Sequence, residues 1–214
     1  MAAPDSKSIH NLNGKWQMNK TLSDPFEPVL ALQGIGFLTR KAINAATLTL
    51  HITQMEAPAS EALDPIADPT EKVTHVNIDQ TLTGGIKGTS EMRCLDNRRR
   101  SHSDWFFGTV EGRTLWVRGP DAAAAVVKEF GDEYLGQGWP AGDDLIVSYV
   151  KNTDPNGGWV AVQVWGIKTA SDGNRRYVRN IVVTKGSKRI AVQLVYDFVG
   201  ERDKKADEDA DLNY

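Results

Sequence analysis

From Thr47 onward the chain is written in twos. In Thr47-Leu48-Thr49-Leu50-His51-Ile52-Thr53 the apolar Leu48, Leu50 and Ile52 alternate with polar neighbours. A strand sends successive side chains to opposite faces, so this pattern makes one dry face and one wet face. Further strand-like runs lie at 72–82, 86–95, 102–110, 114–118, 145–151, 159–168, 176–185 and 188–199, and a first strand is expected at 14–20. Between them stand the turn signals Gly84-Gly85, Asp96-Asn97, Glu111-Gly112, Asn156-Gly157-Gly158, Asp172-Gly173 and Lys185-Gly186-Ser187. About ten hairpin-linked strands predict an all-β fold, an antiparallel up-and-down barrel, because closing such a meander removes its exposed edges.

Three stretches break the period of two. After the first strand, Asp24-Pro25 reads as an N-cap with proline at the first helical position, and Phe26, Val29, Leu30 and Leu32 fit one helical face. Gly34 stops that helix and residues 35–43 read as a second, giving a short helix-turn-helix. Residues 56–70 carry Pro58, Pro65 and Pro69 and read as a long loop. Within the insertion at 120–142, Asp121 caps an extra helix over 121–130, Gly131 ends it, and a Gly/Pro-rich stretch follows. The insertion joins two strands, so it is expected at an open end of the barrel, where a lid would sit. The organisation is then a flexible N-terminus (1–12), one barrel (13–200) and an acidic disordered tail (201–214) holding Asp207, Glu208, Asp209 and Asp211.

Charge and cysteine content remove several classes of function. With 25 Lys+Arg against 28 Asp+Glu, no overall basic field attracts phosphate backbones, and nucleic acid is not expected as a partner. The N-terminus lacks a basic segment followed by an apolar one, and no run is long enough for a membrane span, so a cytoplasmic protein is expected. The oligomeric state is open. Cys94 is the only cysteine, which leaves no internal disulfide and no multi-cysteine zinc site, and a lone strand cysteine reads as a small packed hydrophobe. There is no Gly-x-Gly-x-x-Gly ahead of a helix, no phosphate loop, no Gly-x-Ser-x-Gly and no His-Glu-x-x-His. The glycines of 84–90 link two strands and read as a hairpin turn. No cofactor and no metal is expected.

Two stretches carry a family resemblance: Gly14-Lys15-Trp16 in the first strand, and Gly34-Ile35-Gly36-Phe37-Leu38-Thr39-Arg40-Lys41 in the helix pair. Over residues 13–55 the chain resembles the intracellular fatty-acid-binding protein branch of the lipocalin-like, or calycin, barrels, as a divergent and longer member. The resemblance implies a ten-stranded barrel that holds one hydrophobic small molecule, with the helix pair over the mouth and Phe37 as a portal residue. That branch ends in a strand with Arg-x-Tyr, which fixes a ligand carboxylate. Here the last strand runs from Arg189 to Tyr196 without that pair, so a fatty acid is not the implied ligand.

Candidate site residues follow from strand parity. His102 and Asp104 share a face, and a carboxylate beside an imidazole raises its basicity, which suits a general acid or base. Trp105 and Phe107 lie on the opposite face and are expected to point inward. Gln163 and Trp165 share a face with Trp159, Tyr177 shares one with Arg179, and Tyr196 follows Val192 and Leu194; an apolar cavity with a few polar atoms reads this way. The expected lining set is Phe37, Trp105, Phe107, Tyr149, Gln163, Trp165, Arg179 and Tyr196. His51 and His75 lack a carboxylate at ligand spacing and read as cross-strand packing. Arg98, Arg99 and Arg100 read as a solvated turn.

Two readings of function follow, with a structural or interaction module as a third. The first is an intracellular barrel that binds a hydrophobic small molecule. The alternative is a cofactor-free cyclase or isomerase, pericyclase-like, acting on a polyketide or terpenoid intermediate, with His102, Asp104 or Arg179 stabilising developing charge.

Overall fold

The structure, a computed structural model, describes residues 1–66, 68–84, 88–155 and 157–202. Ten strands form one antiparallel sheet: β1 (Gly14–Met18), β2 (Leu48–Pro58), β3 (Lys72–Leu82), β4 (Ser90–Cys94), β5 (Arg100–Asp104), β6 (Gly108–Val117), β7 (Leu145–Asn152), β8 (Trp159–Thr169), β9 (Arg175–Lys185) and β10 (Lys188–Gly200). Their order is β4-β3-β2-β1-β10-β9-β8-β7-β6-β5, the up-and-down meander expected from the sequence, closed on itself by the pairing of β1 with β10. Both edges, β4 and β5, contribute to the wall of one interior chamber, so the sheet curls into a barrel with a seam between them. Among the described residues no helix is long and apolar enough to cross a membrane.

The Gly-x-Trp start closes one end. Trp16 is fully buried, donates its indole N–H to the Leu12 carbonyl at 2.7 Å, and packs edge-on to Tyr177 and Phe198. Gly14 has φ 131°, and a Cβ there would meet the Phe198 ring at 2.6 Å and the Gly200 carbonyl at 2.9 Å, so the position admits only glycine. Residues 1–12, expected to be flexible, pack instead against this end. Ala3, Ile9 and Leu12 are buried in the same core, the Ala3 amide donates to the Arg175 carbonyl, and Lys7 pairs with Glu201. Three apolar side chains at irregular spacing give no periodic signal, which is why sequence pattern does not find them. Of the expected acidic tail, residues 203–214 lie outside the described residues.

Helices α1 (Glu27–Leu32) and α2 (Phe37–Ala45) follow β1 and form the expected pair, each starting about two residues late. Asp24 is not the cap. Its backbone N–H and its carboxylate both bond the Gln193 backbone, and the carboxylate also accepts from the Tyr134 hydroxyl, so it ties the loop to β10. Pro28 then takes the first turn of α1, where its missing N–H does no harm.

The insertion forms α3 (Ala122–Phe130), ended by Gly131 at φ 70°, and a single 3-10 turn at Glu133–Gly136. It does not lie over the barrel mouth. Ala122, Val126, Leu135 and Trp139 pack on Val147, Val162, Val164, Val178, Val182 and Val195, a second core on the outer face of β7–β10. A meander strand whose outer face is apolar needs a cover, and the insertion supplies it.

Under that cover Lys168 is 7% exposed, 4.4 Å from the Trp139 ring, and bonds the Gln137 carbonyl and Asn180 Oδ1. Burial pulls its ammonium from 10.5 down to about 8. Between those two values an unfolded chain keeps a proton that the folded chain has released, so stability rises as pH rises through the window and levels off above it. The expected gain is on the order of 3 kcal/mol. Lys168→Met should raise stability at pH 7 and flatten the alkaline rise in denaturant unfolding measured across pH. Both acceptors stay satisfied, since Asn180 Nδ2 bonds the Gln137 carbonyl and Gln193 Nε2 bonds Asn180 Oδ1.

Candidate functional site

Inside the barrel, between the helix pair and the end filled by Trp16, lies a chamber of about 800 Å³. Its apolar wall comes from Leu50 of β2, Trp159 and Ala161 of β8, Ile181 and Val183 of β9, and Leu194 of β10, with Val29 and Leu30 of α1 across the end. Chambers of this size bury a ligand of ordinary organic dimensions. The strand pairing explains the alignment: Ala161 faces Val150 on β7 and Val183 on β9, and Arg179 faces Trp165 and Leu194, so one parity of each strand points inward together.

Arg179 is the polar centre of this wall. The residue is 4% exposed, with its guanidinium 4.2 Å from the Trp165 ring and 5.5 Å from that of Tyr196. Nε donates to the Tyr177 hydroxyl at 2.9 Å and Nη1 to Gln163 Oε1 at 3.4 Å, while buried Nη2 has no partner. The same Gln163 oxygen accepts from Trp165 Nε1 at 3.1 Å. Burial pushes the Tyr177 and Tyr196 hydroxyls up, well away from ionisation, so both stay neutral donors.

On β4, Glu91 lines the same chamber and accepts from Gln80 Nε2 at 2.8 Å and from Arg93 at 3.0 Å. Burial alone would raise its carboxyl, but the charges of Arg93 and Arg179 and the two hydrogen bonds hold it below the usual carboxylate range. It is an anion at neutral pH. Glu91 and Arg93 stand at strand spacing two, a signal that puts the pair on one face of β4 without saying that this face is the inward one.

The expected lining residues divide into two groups. Phe107, Gln163, Arg179 and Tyr196 line the chamber. Trp165 is on the inward side of β8 but fully buried behind the Arg179 guanidinium, so it backs the wall without forming its surface. Phe37 is 59% exposed on α2, against Arg40 and Lys41. Tyr149 points outward and stacks on Phe130 of α3, because Ile146, Ser148 and Val150 take the inward parity of β7.

Trp105 is 62% exposed at a turn the sequence does not announce. The run at 102–110 is two strands: β5 ends at Asp104, whose Oδ1 accepts from the Phe106 and Phe107 N–H groups, and β6 starts at Gly108 with φ 70°. Glu111-Gly112, expected as the turn, is the middle of β6. His102 and Asp104 sit at the chamber rim, His102 Nε2 3.4 Å from Asp104 Oδ2, with the His102 side chain 59% exposed. Cys94 is buried 3.9 Å from His75 Nε2 with its thiol pushed up by burial, a packed residue rather than a nucleophile.

Asp96 fixes the β4–β5 connection beside the seam. Its side chain is 3% exposed and accepts from Arg98 and Arg100. Burial would raise its carboxyl, and the Arg100 hydrogen bonds and charge with the Arg98 N–H overcome this and lower it from 3.8 to about 2. A carboxylate lowered on folding adds stability above its ordinary value and loses it as pH falls toward the lowered one. We expect about 2 kcal/mol to be lost between pH 4 and pH 2 and Asp96→Asn to abolish that acid slope, as read by urea unfolding.

No family model matches the sequence. The chain is 30% identical over 206 residues to the probable pericyclase scpY of Mollisia scopiformis, covering 95% of this chain and 98% of that protein. It is 28% identical over 205 residues to the pericyclase pydY of an Acremonium species, covering 94% of this chain and 99% of that one. Among solved structures, a mutant of the fluorescent protein UnaG aligns with TM-score 0.50 and 17% identity over 88% of this chain and 96% of that chain, a likeness of fold. Echinococcus granulosus fatty-acid-binding protein 1 aligns at TM-score 0.47 and 13% identity, over 88% and 97% of the two chains.

Proposed function

This chain belongs to the same family as the probable pericyclase scpY, and on that premise we propose that it catalyses a pericyclic ring closure of a hydrophobic small molecule held inside the barrel. The observation that carries the reading is the chamber of about 800 Å³, apolar over most of its wall and bearing a buried guanidinium. In a pericyclic closure π bonds become σ bonds within one molecule. No atom, proton or electron leaves, so this chemistry asks for no cofactor. What it does ask for is a folded substrate, because a flexible chain in water seldom brings the reacting ends together. A chamber that holds the chain near the reacting geometry supplies that ordering, which in well-oriented reactions is worth up to about 7–11 kcal/mol of barrier.

The assay is incubation of chelator-treated protein with an acyclic polyene of polyketide or terpenoid type that carries a diene and a separate alkene. A product of unchanged mass, with the polyene absorption lost and one diastereomer dominant, is expected. Binding without conversion across a panel of such chains would leave a carrier of hydrophobic molecules and overturn the catalytic reading. In this scheme Asp104 holds the β5–β6 turn and His102 is a rim residue bathed by solvent. His102→Ala should therefore leave turnover within about threefold of wild type, since its ring is open to solvent and hydration screens what it presents to the chamber. A loss of several orders of magnitude with binding intact would move the chemistry to His102.

A further inference from the structure

We propose that Arg179 is the activating group of the chamber, donating its unpartnered Nη2–H to a carbonyl oxygen conjugated with the reacting π system, so that the substrate class is a hydrophobic polyene carrying a conjugated carbonyl. The inference rests on the catalytic reading above and adds the chemistry that the site recognises.

Nη2 is a buried donor with no protein partner, which carries a desolvation penalty unless a ligand supplies an acceptor. The rest of the guanidinium is fixed. Nε is held by the Tyr177 hydroxyl and Nη1 by Gln163, and the plane is packed on Trp165, which leaves Nη2 as the nitrogen of this group with no hydrogen bond to the protein. A ligand in this chamber lies against Gln163, Arg179 and Tyr196 on one wall. Tyr177 and Tyr196 are neutral, and the Glu91 carboxylate is engaged by Arg93 and Gln80 on β4. Glu91 acts on Arg179 through its charge, and Nη2 still lacks a hydrogen-bond acceptor.

A hydrogen bond from a cation to a conjugated carbonyl oxygen draws electron density out of the attached alkene, which speeds its reaction with an electron-rich diene. No proton is transferred; the bond strengthens as charge builds on oxygen and relaxes when the ring is closed. Glu91 is a positioning residue in this scheme. Both residues line the chamber, and the Glu91 charge acts on Arg179 and balances the buried cation.

The test uses prodan, an apolar naphthyl ketone whose emission moves to longer wavelength when a donor bonds its carbonyl. Wild-type protein should bind it with quenching of tryptophan fluorescence and with emission well to the red of that in hexane. Arg179→Gln should still bind it but return the emission close to the hexane value, and Arg179→Lys should restore part of the shift. Because removing Arg179 strands Glu91, the double variant R179Q/E91Q is measured beside it and should also bind without the shift. Prodan bound without a red shift, or a shift that persists in both Gln variants, overturns the inference and leaves the chamber reading standing. No binding of prodan by wild type overturns both. A third arm uses cis-parinarate, a polyene carboxylate: if Arg179→Gln weakens its binding by about tenfold or more while the prodan emission is unmoved, Arg179 is a carboxylate anchor and the carbonyl inference falls.

Discussion

Replacing Ala161 with Trp should abolish ring closure while leaving the protein folded and at least as stable as wild type. Ala161 is 4% exposed, lines the chamber in the middle of β8, and is flanked by Val150 and Val183 on the neighbouring strands. An indole placed there projects into open apolar space, so the substitution fills a void in place of overpacking a core. Its backbone stays in the ladder, and strands accept aromatic side chains readily. With the space taken, a substrate chain has no room to fold back on itself, and kcat/KM should drop by about a hundredfold or more, equivalent to roughly 3 kcal/mol of lost transition-state binding. Turnover, prodan binding and thermal unfolding are the three readouts. A variant that is stable, excludes prodan and still turns over would place the chemistry outside the chamber.

Trp139→Ala should have the largest effect on stability, and little on the chamber. The indole is 9% exposed, donates to the Leu135 carbonyl, covers Lys168, and sits where a Cβ on Gly166 would meet it at 2.7 Å. Removing it opens a cavity between the insertion and the sheet and takes away the ring face that the Lys168 ammonium sits against. A loss of about 3–5 kcal/mol is expected in urea or thermal unfolding. The molecules that remain folded should bind prodan as wild type does, because Trp139 lies on the opposite face of β8 from Ala161 and Gln163. Were the insertion a lid, the reverse would be seen: modest destabilisation and a marked change in the rate at which ligand leaves.

That insertion shows where sequence pattern stops being informative. Over β2, strict alternation of Leu48, Leu50 and Ile52 with polar residues makes the strand legible. Over β7 to β10 both faces are dry. From Tyr177 to Val183 every residue of β9 is buried, and the period of two that reports sidedness disappears. Tyr149 is an aromatic in such a strand, and nothing local distinguishes its outward parity from the inward parity of Ser148. The barrel's strand content was readable, as was the helix pair to within about two residues; the face covered by α3 was not, because covering it is a tertiary choice.

The polar part of the site was legible where strand spacing alone decided it. Gln163, Arg179 and Tyr196 follow from alternation once the inward face of β8 to β10 is fixed. The same rule puts Trp105 and Phe107 on one face, and it fails there because the strand ends at Asp104. A carboxylate that accepts two successive backbone N–H groups stops a strand and starts a turn, as such side chains do elsewhere. Glu91 is not legible as a site residue, because an acidic residue in a strand reads as solvent-facing unless its partners are known.

One hydrophobic molecule should occupy the barrel interior. Native mass spectrometry of the freshly purified chain, followed by solvent extraction and identification of what is released, tests it most directly. Wild type should release one apolar small molecule per chain or, after added prodan, form a one-to-one complex, with neither retained by Ala161→Trp. An empty wild-type chain that also fails to take up prodan would contradict it.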